Sequence, residues 1–154
     1  MRRTRETSAG LLVFRRTGPV EVLLAHPGGP FWARKDAGVW TIPKGLVEAG
    51  EELTAAARRE FTEETNLSAA GELIALAPVN QKSGKVVRAF AIEANLDLAA
   101  FASNTFEMEW PPKSGRRQSF PEIDRVAYFA LPIAKAKIIA YQSSLLDELE
   151  GRLR

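Results

Sequence analysis

Apolar residues fall into short blocks along most of this chain, and the spacing of those blocks predicts its elements. "SAGLLVFRR" (8–16) and "VEVLLAHP" (20–27) are Leu- and Val-rich runs separated by "TGP", the pattern of a β-hairpin. A loop rich in Gly, Pro and charge follows, "PGGPFWARKDAG" (27–38), then a short extended piece, "VWTIPKG" (39–45). "GEELTAAARREFTEETNL" (50–67) has helical spacing. "ELIALAPVNQ" (72–81) and "KVVRAFAIEANL" (85–96) flank the turn "KSG" as a second predicted hairpin. "FASNTFEMEWPPKSGRRQSFPEID" (101–124) shows little periodicity and is expected to be a long irregular loop of functional interest. "RVAYFAL" (125–131) reads as a further strand, and the tail from Pro132 as helical. Strands outnumber helices, and two helical regions remain to cover the sheet, so an α+β class is expected. No repeat, low-complexity tract or linker interrupts 1–154, which is read as a single domain.

One element breaks the amphipathic rule. With Glu60 at zero and about 100° per residue, Leu53, Ala56, Ala57 and Phe61 share its side of the helix. Glu64 falls about 40° to one side and Glu63 about 60° to the other. The polar side carries Arg58, Thr62 and Thr65 instead, although a solvated acidic face belongs opposite the apolar stripe. Like charges at i, i+4 cost roughly 0.2–0.5 kcal/mol, and anions in the last turn oppose the macrodipole by about 0.3–1 kcal/mol each. A bound divalent cation reverses the sign of both penalties. Oxygen-only carboxylate ligands suit Mg²⁺, with Mn²⁺ as a substitute.

Composition narrows the chemistry further. The 154 residues are 45% hydrophobic and 26% charged, with a net charge of +2 and a pI near 9.1. So small an excess suits anionic ligands better than the coating of nucleic acid. With no cysteine, disulfides, thiolate nucleophiles and cysteine-ligated zinc are excluded. No apolar run approaches the ~20 residues that span a bilayer, and the apolar run in "MRRTRETSAGLLVF" is too short for a signal peptide. A cytoplasmic protein without a membrane partner is expected.

Counting from Gly45 gives five residues, Glu51, seven residues, then Arg59, Glu60, Phe61, Thr62, Glu63, Glu64, Thr65, Asn66 and Leu67. This resembles the Nudix box, G-x5-E-x7-R-E-U-x-E-E-x-G-U, with U apolar. It departs only at the last Gly, which is Asn66 here. That position closes the helix in the left-handed conformation, where Asn is the next most tolerant residue. The resemblance implies an α/β/α sandwich with a mixed sheet between helices. It also implies a loop–helix–loop that holds Mg²⁺ or Mn²⁺ against a pyrophosphate.

The same resemblance assigns roles. Glu60, Glu63 and Glu64 become carboxylate ligands, with the Gly45 carbonyl a further contact. Glu60 is also the candidate general base, although family members differ in which carboxylate serves. Glu51 and Arg59 pair to fix the loop against the helix; alternatively Glu51 is a first-turn charge and Arg59 a solvated one. A late-loop carboxylate is expected at Glu122, with Glu107 and Glu109 as competitors. Lys44 is the first choice for the distal phosphates, and Arg34, Lys35, Lys113, Arg116 and Arg117 are further candidates on the two long loops. Trp32 and Trp110 either stack on a base or pack structurally. His26 has no evident orienting partner in the sequence and is read as structural.

The function implied is a Mg²⁺-dependent hydrolase of a nucleoside diphosphate linked to another moiety: a dinucleoside polyphosphate, an NTP or dNTP, or a nucleotide sugar. The partner is then a nucleotide-type small molecule, with no stable nucleic-acid partner, in a monomer or homodimer. The competing readings are a catalytically silent Nudix domain that senses nucleotides, and a Nudix-fold isomerase or RNA-decapping enzyme.

Overall fold

The computed structural model describes residues 6–154. The first strand, β1 (Thr7–Arg15), organises the sheet because it takes a different partner at each end. Near its C-terminus it pairs antiparallel with β2 (Glu21–Pro27), through Phe14↔Val22 and Arg15↔Glu21. Near its start it pairs instead with β3 (Lys44–Leu46), through Ser8↔Leu46, Ala9↔Gly45 and Gly10↔Lys44. Residues 41–46 thus enter as a wedge between the diverging strands, with Thr41 bonded to Ala25 in both directions at 2.8 and 3.0 Å. Gly10 permits the approach, since a Cβ there would meet the Pro43 carbonyl and the Lys44 Cβ.

On its other edge β1 pairs in parallel with β6 (Val86–Glu93) along its whole length, from Thr7↔Val86 to Phe14↔Glu93. β9 (Ile123–Ala130) closes the far side antiparallel to β2. The sheet is mixed, as expected, and covered on both faces.

Strand alternation distributes the core. Leu11, Val13 and Leu23 point to one face, where Ala56, Ala57 and Phe61 of α1 (Leu53–Thr65) meet them. Leu12, Phe14, Val22 and Leu24 point to the other, against α2 (Leu131–Lys137) and α3 (Ser143–Arg152). Burial on both sides explains why β1 and β2 read as continuous apolar runs.

Four sequence expectations need correction. The second hairpin is interrupted: β4 (Ile74–Ala75) and β5 (Val79–Asn80) each pair with β6, and Pro78 between them has no N–H for a ladder. The segment 101–124 is not irregular. It contains a hairpin of its own, β7 (Thr105–Glu109) with β8 (Arg117–Pro121), apart from the main sheet. β7 does alternate, with Phe106 and Met108 half-buried between exposed Thr105, Glu107 and Glu109, but its partner β8 is mostly polar and exposed and gives no matching signal. The C-terminal helical region begins at Leu131 and pauses at Ile138–Ile139, where the backbone bonds to Trp40. Thr65 is buried rather than solvated: its hydroxyl donates to the Phe61 carbonyl (2.6 Å) and accepts from Leu67 N–H (3.1 Å).

The wedge is held from the α2–α3 side by Gln142, which is fully buried. Its Oε1 accepts the Ile42 N–H at 2.9 Å, and its Nε2 donates to Tyr141 Oη at 2.8 Å. Gln142→Leu strands the Ile42 donor without a partner and is expected to cost about 1–3 kcal/mol of folding stability. Urea unfolding of the two proteins measures that loss.

Candidate functional site

The site assembles where the wedge crosses the end of α1. Lys44 N–H donates to Glu64 Oε2 at 2.9 Å, joining β3 to the helix through a carboxylate. Beside it the Glu60 carboxylate lies against Gly45 so closely that a Cβ on that residue would overlap it. Gly45 is therefore required for contact, independently of any role for its carbonyl.

Arg59 is the hub of the acidic cluster. Its Nε and Nη2 donate to Glu51 Oε2 and Oε1 at 2.7 and 2.8 Å, a bidentate fork. Nη1 donates to Glu60 Oε1 (2.7 Å) and Glu63 Oε2 (3.0 Å), and Nη2 also reaches the Leu46 carbonyl (3.1 Å). The guanidinium and the Glu48 N–H hold the Glu51 carboxyl down at about 2. The loop from Leu46 to Glu51 is thereby fastened to the helix.

Glu64 is displaced in the opposite direction to Glu51. Burial pushes its carboxyl up to about 7, opposed by the Lys44 N–H and ammonium and reinforced by the charges of Glu60 and Glu122. Glu122 therefore acts electrostatically on the same site. It is fixed there by backbone bonds, its N–H to the Asn104 carbonyl (2.8 Å) and its carbonyl to Gly28 N–H (2.9 Å). Burial also lowers the Lys44 ammonium, which Glu64 and Glu60 partly restore.

The carboxylates supply the oxygen donors that a hard divalent cation prefers, and the cost of burying Glu64 is the kind a cation offsets. In the arrangement described, Glu60 and Glu63 are instead neutralised by Arg59. Among the described residues, no three acidic or histidine side chains form a ready-made metal cage. The donor set fits in kind, with Glu60 and Glu63 turned to the guanidinium.

The other sequence candidates are spread more widely. Glu107 pairs with Arg117 at 3.7 Å on the exposed hairpin, and Glu109 lies opposite Arg117 in its register. Arg116 shares that hairpin, and Lys113 sits in its turn. Arg34 and Lys35 line a groove with Trp40 and β9, and no residue of α1 or β3 takes part in it. Trp110 packs edge-on against Phe31 (5.3 Å), while Trp32 is 40% exposed with the Lys35 ammonium 5.1 Å from its ring.

Two connections escaped the sequence reading. His26 does have an orienting partner: fully buried, its Nδ1 lies 2.8 Å from Asp124 Oδ1 and its Nε2 2.6 Å from the Lys35 carbonyl oxygen. Asn104 Nδ2 donates to the Glu63 carbonyl (3.1 Å), tying the base of the β7–β8 hairpin to the end of α1. Neither pairing has a local spacing that could have revealed it.

Comparison with solved structures finds the same architecture. A C. elegans Ap4A hydrolase in a binary complex superposes with a TM-score of 0.66 at 23% identity, covering 95% of this chain and 97% of that one. The NUDIX domain of Shewanella oneidensis NrtR, complexed with ADP ribose, gives 0.68 at 16% identity, covering 99% and 91%. A MutT protein from Methanosarcina mazei gives 0.66 at 19%, covering 100% and 99%. These likenesses establish the fold. No curated protein matches the chain. The NUDIX domain family matches residues 4–148, and with the intact acidic helix, its Arg59 fork and this fold, the chain belongs to the Nudix hydrolase family.

Proposed function

We propose that this protein is a Mg²⁺-dependent hydrolase of a phosphoanhydride in a nucleoside diphosphate linked to another moiety. The observation that carries the reading is Glu64: a carboxylate buried beside Glu60, within the field of Glu122, and bonded to the backbone of Lys44. The one backbone bond that Glu64 accepts is small against the cost of burying its charge, whereas a bound cation would offset that cost.

A bound Mg²⁺ or Mn²⁺ supplies neutralisation of phosphate charge and an activated water. Glu60, Glu63 and Glu64 would hold it, with the Gly45 carbonyl and Glu122 as further oxygen ligands. Glu60 and Glu63 would have to leave Arg59 Nη1 to do so, whereas the Glu51 fork uses Nε and Nη2 and could keep the loop fixed. Glu60 accepts the proton of the attacking water. Lys44, its ammonium partly desolvated beside Glu64 and Glu60, is the cation placed to meet the phosphate oxygens. The cations Arg116 and Arg117 lie on the hairpin that Asn104 anchors to α1, which supports a role with more distal phosphates.

Dinucleoside polyphosphates, nucleoside triphosphates and nucleotide sugars share this linkage. A catalytically silent sensor is disfavoured because Glu51, Glu60, Glu63 and Glu64 are all present.

A nucleotide panel assayed for Mg²⁺-dependent phosphate release tests the proposal. Glu60→Gln is expected to lower turnover on the order of 10²–10⁴-fold, and Glu63→Gln and Glu64→Gln to lower it as well. If no nucleotide is turned over faster by the wild type than by these variants, the hydrolase assignment fails.

Glu64 also predicts a pH dependence. Its folded value lies above that of an unfolded carboxylate, so its stabilising effect is complete in acid and lost as pH rises from the ordinary carboxylate range through about 7. Metal-free Glu64→Gln is expected to melt above the wild type at pH ~8.5 and together with it at pH ~4. Thermal scans in EDTA at the two pH values measure the difference, and Mg²⁺ should raise the melting temperature of the wild type more than that of the variant.

A further inference from the structure

A second site of opposite charge lies away from the acidic helix. The loop before β3, the outer face of β9 and the end of α2 enclose a groove of about 390 Å³, walled by Arg34, Lys35, Arg125 and Lys137. Asp36 is the one carboxylate in its lining, and both its oxygens are engaged. Oδ1 accepts from Trp40 Nε1 (2.8 Å) and Oδ2 from Lys137 Nζ (2.6 Å). Arg125 reaches Asp124 only at 3.7 Å, and that Oδ1 also lies 2.8 Å from His26 Nδ1. Among the described residues, neither Arg34 nor Lys35 makes an ion pair.

The floor is aromatic. Trp40 and Phe129 meet edge to face at 4.8 Å; Arg125 lies 5.2 Å from the Trp40 ring and the Lys137 ammonium 5.0 Å from that of Phe129. The rings shield one side of the cations from water and offer no counter-charge. Asp36 matches Lys137, which leaves the positive charges of Arg34, Lys35 and Arg125 in excess around the groove, and an anion with several oxygens offsets that excess. Arginine forks match phosphate oxygens two at a time, and the volume exceeds what one inorganic ion fills.

We propose that this groove binds a phosphate-bearing small molecule, at a site separate from the carboxylates of α1. The phosphates are either those at the far end of the hydrolysed substrate or those of a second, independent ligand.

Calorimetric titration with inorganic tripolyphosphate in EDTA tests the site without catalysis, so its outcome does not depend on the hydrolase proposal. Arg34→Gln/Arg125→Gln is expected to weaken binding about tenfold or more. Arg152→Gln/Arg154→Gln, which removes the same charge from the end of α3, should leave binding within about twofold. If Arg34→Gln/Arg125→Gln proves unfolded by circular dichroism, Lys35→Gln replaces it and should weaken binding measurably. No binding by the wild type, or equal losses in the groove and α3 variants, overturns the proposal.

The source is then separated by kinetics with Mg²⁺ in excess. Tripolyphosphate that competes with the nucleotide, and does so less well in Arg34→Gln/Arg125→Gln, assigns the groove to the substrate's own phosphates. An effect on rate that substrate does not relieve, and that this variant loses, assigns it to a separate molecule.

Discussion

The close approach of three backbone segments, made possible where side chains are missing, underlies the whole candidate site. Gly10 lets the strand from Pro43 to Lys44 press against β1, and Gly45 lets the Glu60 carboxylate lie against that strand. The wedge can then accept a carboxylate from α1 on one face and the Gln142 amide on the other. Any larger residue at Gly45 would push the helix outward and separate the backbone of Lys44 from Glu64. The position of the acidic helix thus follows from steric permission first and from electrostatics second.

Electrostatics then decides what the arrangement can do. An α-helix that buries a carboxylate near its own C-terminus opposes both desolvation and its dipole. Part of that cost is offset by Arg59, which serves as a covalently attached cation for Glu51, Glu60 and Glu63. Glu64, beyond its reach, is left with a backbone N–H and the Lys44 ammonium, and drifts toward its neutral form. The molecule therefore separates two demands. Arg59 and Glu51 make a two-bond fastening, whereas Glu60 and Glu63 share the single donor Nη1 and Glu64 has no guanidinium partner.

What the sequence made legible was whatever depends on fixed spacing. The interval from Gly45 to Leu67 identified the acidic helix, the Glu51–Arg59 pair and the left-handed end at Asn66, whose φ is 60°. Periodicity also located β1, β2 and the covering helices, because two-sided burial leaves continuous apolar runs. It failed where tertiary contacts overrule local character. Thr65 looked solvated but satisfies its hydroxyl within the helix, and the alternating β7 went unread because its strand partner, β8, is mostly polar. His26 seemed unpartnered because Asp124 is nearly a hundred positions away in sequence and reaches it only through the β2–β9 ladder.

The parallel pairing of β1 with β6 has a consequence for the order of assembly. Thr7 finds Val86 across about 80 residues, a closure that is slow relative to hairpins and helices. The acidic helix lies within that span, and Phe90 and Ile92 of β6 complete the apolar cluster around Phe61. Until β6 has been synthesised and has zipped onto β1, α1 lacks part of the surface it docks against, so its carboxylates stay hydrated and ionised. The nascent chain consequently meets its most unfavourable electrostatic step late, when the gain from closing the apolar cluster is available in the same event.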